Sequence, residues 1–182
     1  MSFLAIFGGT QHTEGNSQDK SAGPATATIT RFRDALNGDV IRLDFIHPKK
    51  RWNIGQHLYL CLPETTIWQS HPFTPLSLPR DYGSGSVHSY FVRARMRDMR
   101  ILADLGHEKC VTIPDIAIIR DGPPSTTPAI LTEPNGQSIV NQLPSDANVL
   151  CIAGGTRVTF VLPVLLSLLN PSPVPDRKVE LI

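Results

Sequence analysis

Cysteine is scarce in this chain of 182 residues, which contains only Cys61, Cys110 and Cys151. The three lie far apart, form no CxxC pair and lack the spacing of a metal site. Their odd number also argues against a disulfide framework. The cysteine content therefore fits a reduced, cytosolic environment best.

An excess of charge of one sign is also missing. The chain carries 17 basic and 16 acidic side chains, so its formal net charge at pH 7 is +1. Nucleic-acid binding through phosphate contacts needs a basic surface, so we expect no nucleic-acid partner. The hydrophobic fraction of 41% and the 13 glycines are those of an ordinary globular chain. This composition excludes a disordered or collagen-like protein.

Long hydrophobic runs are absent as well. The longest extends over Val158–Leu169 and is interrupted by Thr159, Pro163 and Ser167, whereas a membrane-spanning helix needs about 20 apolar residues. The apolar residues 1–7 are too few for a secretory leader and have no basic residue before them. We therefore expect neither a transmembrane segment nor a signal peptide in this sequence.

The larger part of the chain has the pattern of short β-strands. Ile41, Leu43 and Phe45 alternate with charged residues, which is typical of a half-buried strand. Comparable segments follow at a spacing of about 8–12 residues, as in a sandwich or small barrel. The sequence therefore predicts a β-barrel over residues 26–143. Residues 8–25 are rich in Gly, Ser and Thr, and residues 1–25 are predicted to be a flexible tail.

The pattern changes over residues 145–182. The apolar run 149–153 is typical of a strand buried on both faces, and Gly154-Gly155 follows it directly. Residues 158–169 predict a helix that is apolar almost all round, and residues 179–182 begin another strand. This order predicts the start of a parallel α/β domain. One helix and two strands cannot cover their own apolar surface, so we expect a patch that associates or is covered by another chain.

Four segments, taken in order, resemble a known family. They are residues 52–60 (WNIGQHLYL), 71–74 (HPFT), 89–95 (SYFVRAR) and 151–160 (CIAGGTRVTF). The combination resembles the ferric-chelate reductase and NADPH oxidase family, whose FAD-binding FR-type domain belongs to the ferredoxin-NADP reductase superfamily. The resemblance implies a mainly β fold. It consists of a six-stranded antiparallel Greek-key barrel that binds FAD, followed by the truncated start of an α/β nucleotide-binding domain.

The resemblance also implies which residues touch the flavin. The segment His71-Pro72-Phe73-Thr74 would lie along the ring system, with Phe73 packing on it and Thr74 offering a hydroxyl to its reactive edge. The strand Phe91-Val92-Arg93 would lie beside it. Arg93 would reach the FAD phosphates, because a planar guanidinium suits an oxyanion. The alternative is that Phe73 is an ordinary core residue and Arg93 a solvated strand residue.

A second predicted site is the glycine turn Gly154-Gly155-Thr156, which is similar to the family's nicotinamide-nucleotide motif. By this resemblance it faces NADPH, because glycines let the backbone approach a pyrophosphate at a helix N-terminus. Two departures from the family pattern stand out. Arg157 replaces the usual glycine and either crowds the nucleotide or binds a phosphate. The segment Arg97-Asp98-Met99 stands where Gly-x-Thr usually opens the helix under the FAD diphosphate.

The function implied by the resemblance is that of a flavin-binding module in a ferric reductase-like NADPH:FAD oxidoreductase. Electrons would pass from NADPH through FAD toward haem, and then to ferric iron or oxygen. The family's partner is a haem-containing membrane domain, absent from this sequence, on whose cytosolic face the module would work. Because the nucleotide domain is truncated, we expect NADPH to reduce bound flavin poorly in this chain.

Two alternatives remain at this point. One is a non-catalytic fragment or remnant β-barrel that binds FAD weakly or not at all. The other is a protein-interaction barrel without a cofactor. The acidic, histidine and cysteine residues form no spacing typical of a catalytic pair or a metal site, so we predict no catalytic residue and no metal ligand.

Overall fold

The computed structural model describes residues 3–7, 23–65, 69–95, 97–108, 124–144, 146–169 and 177–182. In chain order the strands are β1 (Phe3–Phe7), β2 (Ala25–Phe32), β3 (Val40–His47), β4 (Leu58–Cys61), β5 (His71–Phe73), β6 (Ser86–Arg93), β7 (His107–Glu108), β8 (Thr126–Leu131), β9 (Asn148–Ile152) and β10 (Val179–Leu181). The α-helices are α1 (Arg97–Leu105) and α2 (Val158–Leu169).

Six strands form a nearly closed antiparallel sheet in the order β5-β4-β8-β2-β3-β6. The short β7 pairs with β2 outside this path. The two edges approach each other after β5, where the Leu76 amide donates to the Ser89 carbonyl at 2.7 Å. The Ser77 hydroxyl donates to the Val87 carbonyl at 2.8 Å. The predicted antiparallel barrel is confirmed.

The core of this barrel consists of side chains from every second residue along its strands. In β3 the side chains of Ile41, Leu43 and Phe45 are buried, as the sequence predicted. In β6 the buried set includes Tyr90 and Val92, while their neighbours point the other way. Period-two alternation therefore fixes which face of each strand is inside.

A second sheet is parallel, in the order β1-β9-β10, with β9 in the middle. The sequence predicted β9 and β10 but placed residues 3–7 in a tail and allowed only two strands. Those residues pair with β9 in the register Phe3↔Asn148 to Phe7↔Ile152. A short continuous apolar run is compatible with a strand of a parallel sheet, but its partner lies at the far end of the chain. Residues 8–22 lie outside the described part.

Helix α2 packs between the parallel sheet and the barrel. Its buried Val161 and Val164 lie in one hydrophobic cluster with Val149 of β9 and Ile54 of the β3–β4 loop. The barrel therefore covers part of the apolar surface that the sequence left uncovered, while Leu166 and Leu169, among others, stay exposed. Because one cluster crosses the boundary near residue 144, the division into domains 26–143 and 145–182 stays a prediction.

Neither described helix is long enough to cross a membrane; α2, the more apolar one, has 12 residues.

Candidate functional site

Strand β5 carries most of the first predicted site and lies at an edge of the barrel sheet. It pairs antiparallel with β4, with His71 opposite Leu60 and Phe73 opposite Leu58. Cross-strand partners share a face, so these two side chains lie on the face of the buried leucines. Pro72 points to the opposite face and is exposed. An edge strand tolerates its missing N–H.

The imidazole of His71 has one buried ring nitrogen, Nε2, which has no hydrogen-bond partner among the described residues. The ring centroid lies 6.4 Å from that of Phe73. A buried ring nitrogen is costly unless it finds a partner, so this position suits a ligand with a hydrogen-bonding group at the barrel edge.

Phe73 is half-buried and lies against the core. Its ring meets that of Tyr90 edge to face, with centroids 6.4 Å apart and planes inclined by 63°. This contact brings β5 beside β6 and so joins the two segments predicted to bind flavin. Thr74 follows directly and is half-buried.

A fixed hydrogen-bond network lies beneath Phe73. His88 Nε2 is 2.9 Å from the Lys50 carbonyl oxygen, and His88 Nδ1 is 2.9 Å from the Tyr90 hydroxyl. Because a carbonyl only accepts, Nε2 carries the proton and Nδ1 accepts from Tyr90. Burial lowers the pKa of His88 to about 4 and raises the pKa of the Tyr90 phenol. The network is therefore neutral at pH 7.

The three predicted residues at the end of β6 do not share one environment. Val92 is buried in the core, so only its backbone is left to face a ligand. Phe91 lies on the outer face, where its ring meets Phe32 edge to face at 6.4 Å. Arg93 lies on the same outer face, since side chains two residues apart in a strand point the same way.

The guanidinium of Arg93 is already engaged. Its Nη1 donates to Asp34 Oδ2 at 2.8 Å and to the Gly38 carbonyl at 2.9 Å. Both partners belong to the β2–β3 loop. The hydrogen bond from Arg93, supported by the Asn37 amide, lowers the pKa of the Asp34 carboxyl to about 2.

A cavity of about 560 Å³ lies beside this ion pair. It is lined by the β2–β3 loop, the residues after β6 and one side of α1. Its charged side chains are Arg31, Arg95, Arg100, Asp34, Asp39 and Asp104. None of the sequence motifs described above points to this place. The signal available was the cluster of opposite charges on either side of the turn Asn37-Gly38-Asp39.

The second predicted site is an open turn between β9 and α2. Gly155, Thr156 and Arg157 form a single 3-10 turn, and Gly155 has a φ of +59°, which favours glycine. A Cβ added at Gly154 or Gly155 would meet no heavy atom within 4 Å among the described residues. Thr156 is half-buried, and the residue at the start of the turn, Gly154, has no side chain to cap it. The turn also contacts β6, the strand that Phe73 touches.

Metal-ligating side chains do not gather anywhere in the described ranges. No group of three or more His, Cys, Asp or Glu there is arranged to hold a metal ion.

Comparisons with known proteins identify the family of the barrel. Residues 29–128, more than half of the chain, match a family described as an FAD-binding domain. The ferric reductase transmembrane component 1 of Schizosaccharomyces pombe is 22% identical over 159 residues, which cover 72% of this chain and 28% of the relative. The chain thus spans little more than a quarter of that relative.

A solved structure, the ferredoxin-NADP+ reductase from Plasmodium falciparum, superposes with a TM-score of 0.51 at 14% identity. The alignment covers 87% of this chain and 57% of that one. At this identity the likeness shows the fold alone.

Proposed function

Since this chain belongs to the FAD-binding domain family of the ferredoxin-NADP reductase superfamily, we propose that it is the flavin-binding electron-transfer module of a ferric reductase-like oxidoreductase. The observation that carries the proposal is the edge strand β5, where Phe73 and His71 lie together beside β6 and the buried His71 Nε2 has no partner within the described part of the chain. When bound, FAD supplies hydride and single-electron chemistry. What the protein contributes is binding, orientation and exclusion of water.

The residues of β5 fit a flat, partly apolar ligand. Phe73 offers an apolar ring held in place by Tyr90, and Thr74 supplies a hydroxyl next to it. His71 Nε2 adds a hydrogen-bonding atom that is buried and unused among the described residues. Tyr90 and His88, which lie behind Phe73, are both neutral at pH 7, so the Phe73 ring has no charged group beneath it from this pair. Together these side chains bind and orient one face of the isoalloxazine.

Arg93 is the residue that we assign to the FAD phosphates. It lies on the outer face of β6, the strand that Phe73 contacts through Tyr90. Its forked guanidinium suits phosphate oxygens, and a neighbouring cavity of about 560 Å³ leaves room for a polar group. Phe91 and the backbone of Val92 complete this surface.

NADPH is the electron donor in this proposal, and the glycine turn is its site. No described residue comes within 4 Å of a Cβ added at Gly154 or Gly155, at the N-terminal end of α2, where backbone N–H groups favour an anion. Thr156 and Arg157 lie in the same turn, and Arg157 is exposed. The contact between this turn and β6 supports a nicotinamide site near the strand that contacts Phe73.

The electron acceptor in this proposal is a haem-containing membrane domain, with ferric iron or oxygen as the final acceptor. The support is the S. pombe relative, which is named as a ferric reductase transmembrane component. The module would then work on the cytosolic face of that membrane. Reconstitution of the flavin-loaded chain with such a haem domain, followed at the haem absorbance bands, tests this part.

The flavin site is tested by a double variant, Phe73→Ala with Thr74→Val. We expect its FAD dissociation constant to rise about tenfold, because an aromatic contact and a hydroxyl hydrogen bond are each worth about 0.5–1.5 kcal/mol. Flavin fluorescence anisotropy measures the affinity. The matched control carries Phe160→Ala and Thr28→Val, at half-buried residues outside β5 and β6. Equal FAD affinity in the test variant and the wild type would contradict the site.

The role of Arg157 is tested by Arg157→Ala. We expect NADPH binding to weaken about two- to fivefold, the size typical of an exposed charge pair, because an arginine near a helix N-terminus adds to its attraction for phosphate. NADH, which lacks the extra phosphate, is the comparison ligand in the same titration. Tighter NADPH binding by the variant would instead mean that the side chain crowds the nucleotide.

A further inference from the structure

The anion-binding side of Arg93 is occupied by a carboxylate of the chain itself. Asp34 Oδ2 accepts from Arg93 Nη1 at 2.8 Å, and the Gly38 carbonyl accepts from the same nitrogen at 2.9 Å. The side chains of Arg93 and Asp34 are 22% and 29% exposed, so the pair lies at a rim that solvent reaches. A phosphate oxygen makes the same kind of charge-assisted bond to a guanidinium.

Asp34 is held in position independently of Arg93. Its Oδ1 accepts from the amides of Leu36, at 3.2 Å, and Asn37, at 2.9 Å. Its own backbone amide donates to Asp39 Oδ1 at 3.0 Å. In these bonds one carboxylate oxygen fixes the loop and the other meets Arg93. Loss of the Arg93 contact therefore leaves the loop's own hydrogen bonds intact.

The surroundings of the pair contain two further arginines. Arg95 and Arg100 line the adjoining cavity of about 560 Å³, in which Arg31 faces Asp39 and Asp104. Arg95 Nε donates to the Asn37 carbonyl at 3.0 Å, which keeps that guanidinium beside the loop. A diphosphate that displaced Asp34 from Arg93 would meet further positive charge in the same place.

We propose that Asp34 is an internal competitor for Arg93 and sets the affinity of the module for the diphosphate of FAD. The proposal rests on the proposed FAD-binding function. In the free protein the carboxylate of Asp34 takes the position on Nη1 that a phosphate oxygen would take. Binding of FAD then requires one anion to replace the other, and the displaced carboxylate repels the incoming phosphates. A flavin without phosphates binds without this exchange.

The test is the affinity of Asp34→Asn for FAD and for riboflavin, measured by flavin fluorescence anisotropy. The asparagine keeps one oxygen for the loop amides and removes the charge. We expect FAD to bind about three- to tenfold more tightly, since exposed ion pairs are weak and a repulsion is removed as well. Riboflavin affinity stays unchanged. Asp81→Asn, which removes the same charge from the Arg51 pair before β6, leaves both affinities unchanged.

Two further variants test whether the effect of Asp34 depends on Arg93 and on the fold of the loop. In an Arg93→Ala background the Asp34→Asn substitution should raise FAD affinity less than it does in the wild type, because only the repulsion between the carboxylate and the phosphates is then removed. Asp34→Ser, whose hydroxyl still accepts from the loop amides, replaces Asp34→Asn if that variant does not fold. Unchanged or weaker FAD binding by the folded variant, or the same gain for riboflavin, overturns the proposal.

Failure of the proposed function has a different signature. If no flavin binds to any variant, the FAD assignment fails. The binding of inorganic diphosphate then tests whether Asp34 competes for Arg93. Tighter diphosphate binding by Asp34→Asn than by the wild type, measured by calorimetry, supports competition for Arg93. Equal binding overturns it.

Discussion

Acidification from pH 7 to pH 4 is expected to lower the free energy of unfolding by about 3 kcal/mol through His88 alone. This side chain has no exposed surface, and burial lowers its pKa from the ordinary 6.5 to about 4. The unfolded chain therefore binds a proton between these two values and the folded chain does not. The contribution of His88 is fully present above about pH 6.5 and is lost as the pH falls toward 4.

Urea unfolding at a series of pH values measures this loss. His88→Gln should be less stable than the wild type at pH 7, because Tyr90 and the Lys50 carbonyl lose a well-placed partner. Between pH 6.5 and 4 its stability should fall less steeply than that of the wild type. His47, also buried and with a pKa lowered by burial, supplies part of the remaining slope. An NMR titration in which the His88 imidazole of the folded wild type ionises near pH 6.5 would contradict the lowered pKa of this side chain.

The barrel could be predicted because its signal is local. Ile41, Leu43 and Phe45 alternate with polar residues within one strand, and the structure buries all three. The pairing of residues 3–7 with β9 has no such signal, because the two segments lie at opposite ends of the chain and a parallel pair needs no turn between them. Alternation identifies a strand but does not identify a distant partner.

The candidate site was predictable in its residues and less so in their orientation. The sequence grouped Phe91, Val92 and Arg93 as one binding segment. Successive side chains of a strand point to opposite faces, however, so Val92 lies in the core and the other two lie outside. The ion pair between Arg93 and Asp34 joins residues 59 positions apart and depends on the β2–β3 turn. Strand patterning carries no information about which loop carboxylate meets which arginine.

The second large effect concerns Arg93 and the phosphates of FAD. We expect Arg93→Ala to raise the FAD dissociation constant about ten- to a hundredfold, because a hydrogen bond to a charged group is worth about 1.5–3 kcal/mol. The substitution also leaves the Asp34 carboxylate without its guanidinium at the rim, which adds repulsion toward the diphosphate. Isothermal titration with FAD and with riboflavin separates the phosphate contribution from that of the ring.

The matched control for this variant is Arg42→Ala, which removes an arginine from an ion pair with Asp44 on the neighbouring strand β3. It makes the same change in net charge, so a general electrostatic effect on FAD would appear in both variants. A specific phosphate contact affects only Arg93→Ala and only FAD. If riboflavin loses as much affinity as FAD, then Arg93 acts by holding the β2–β3 loop against β6 through Asp34 and Gly38, and the phosphate assignment is wrong.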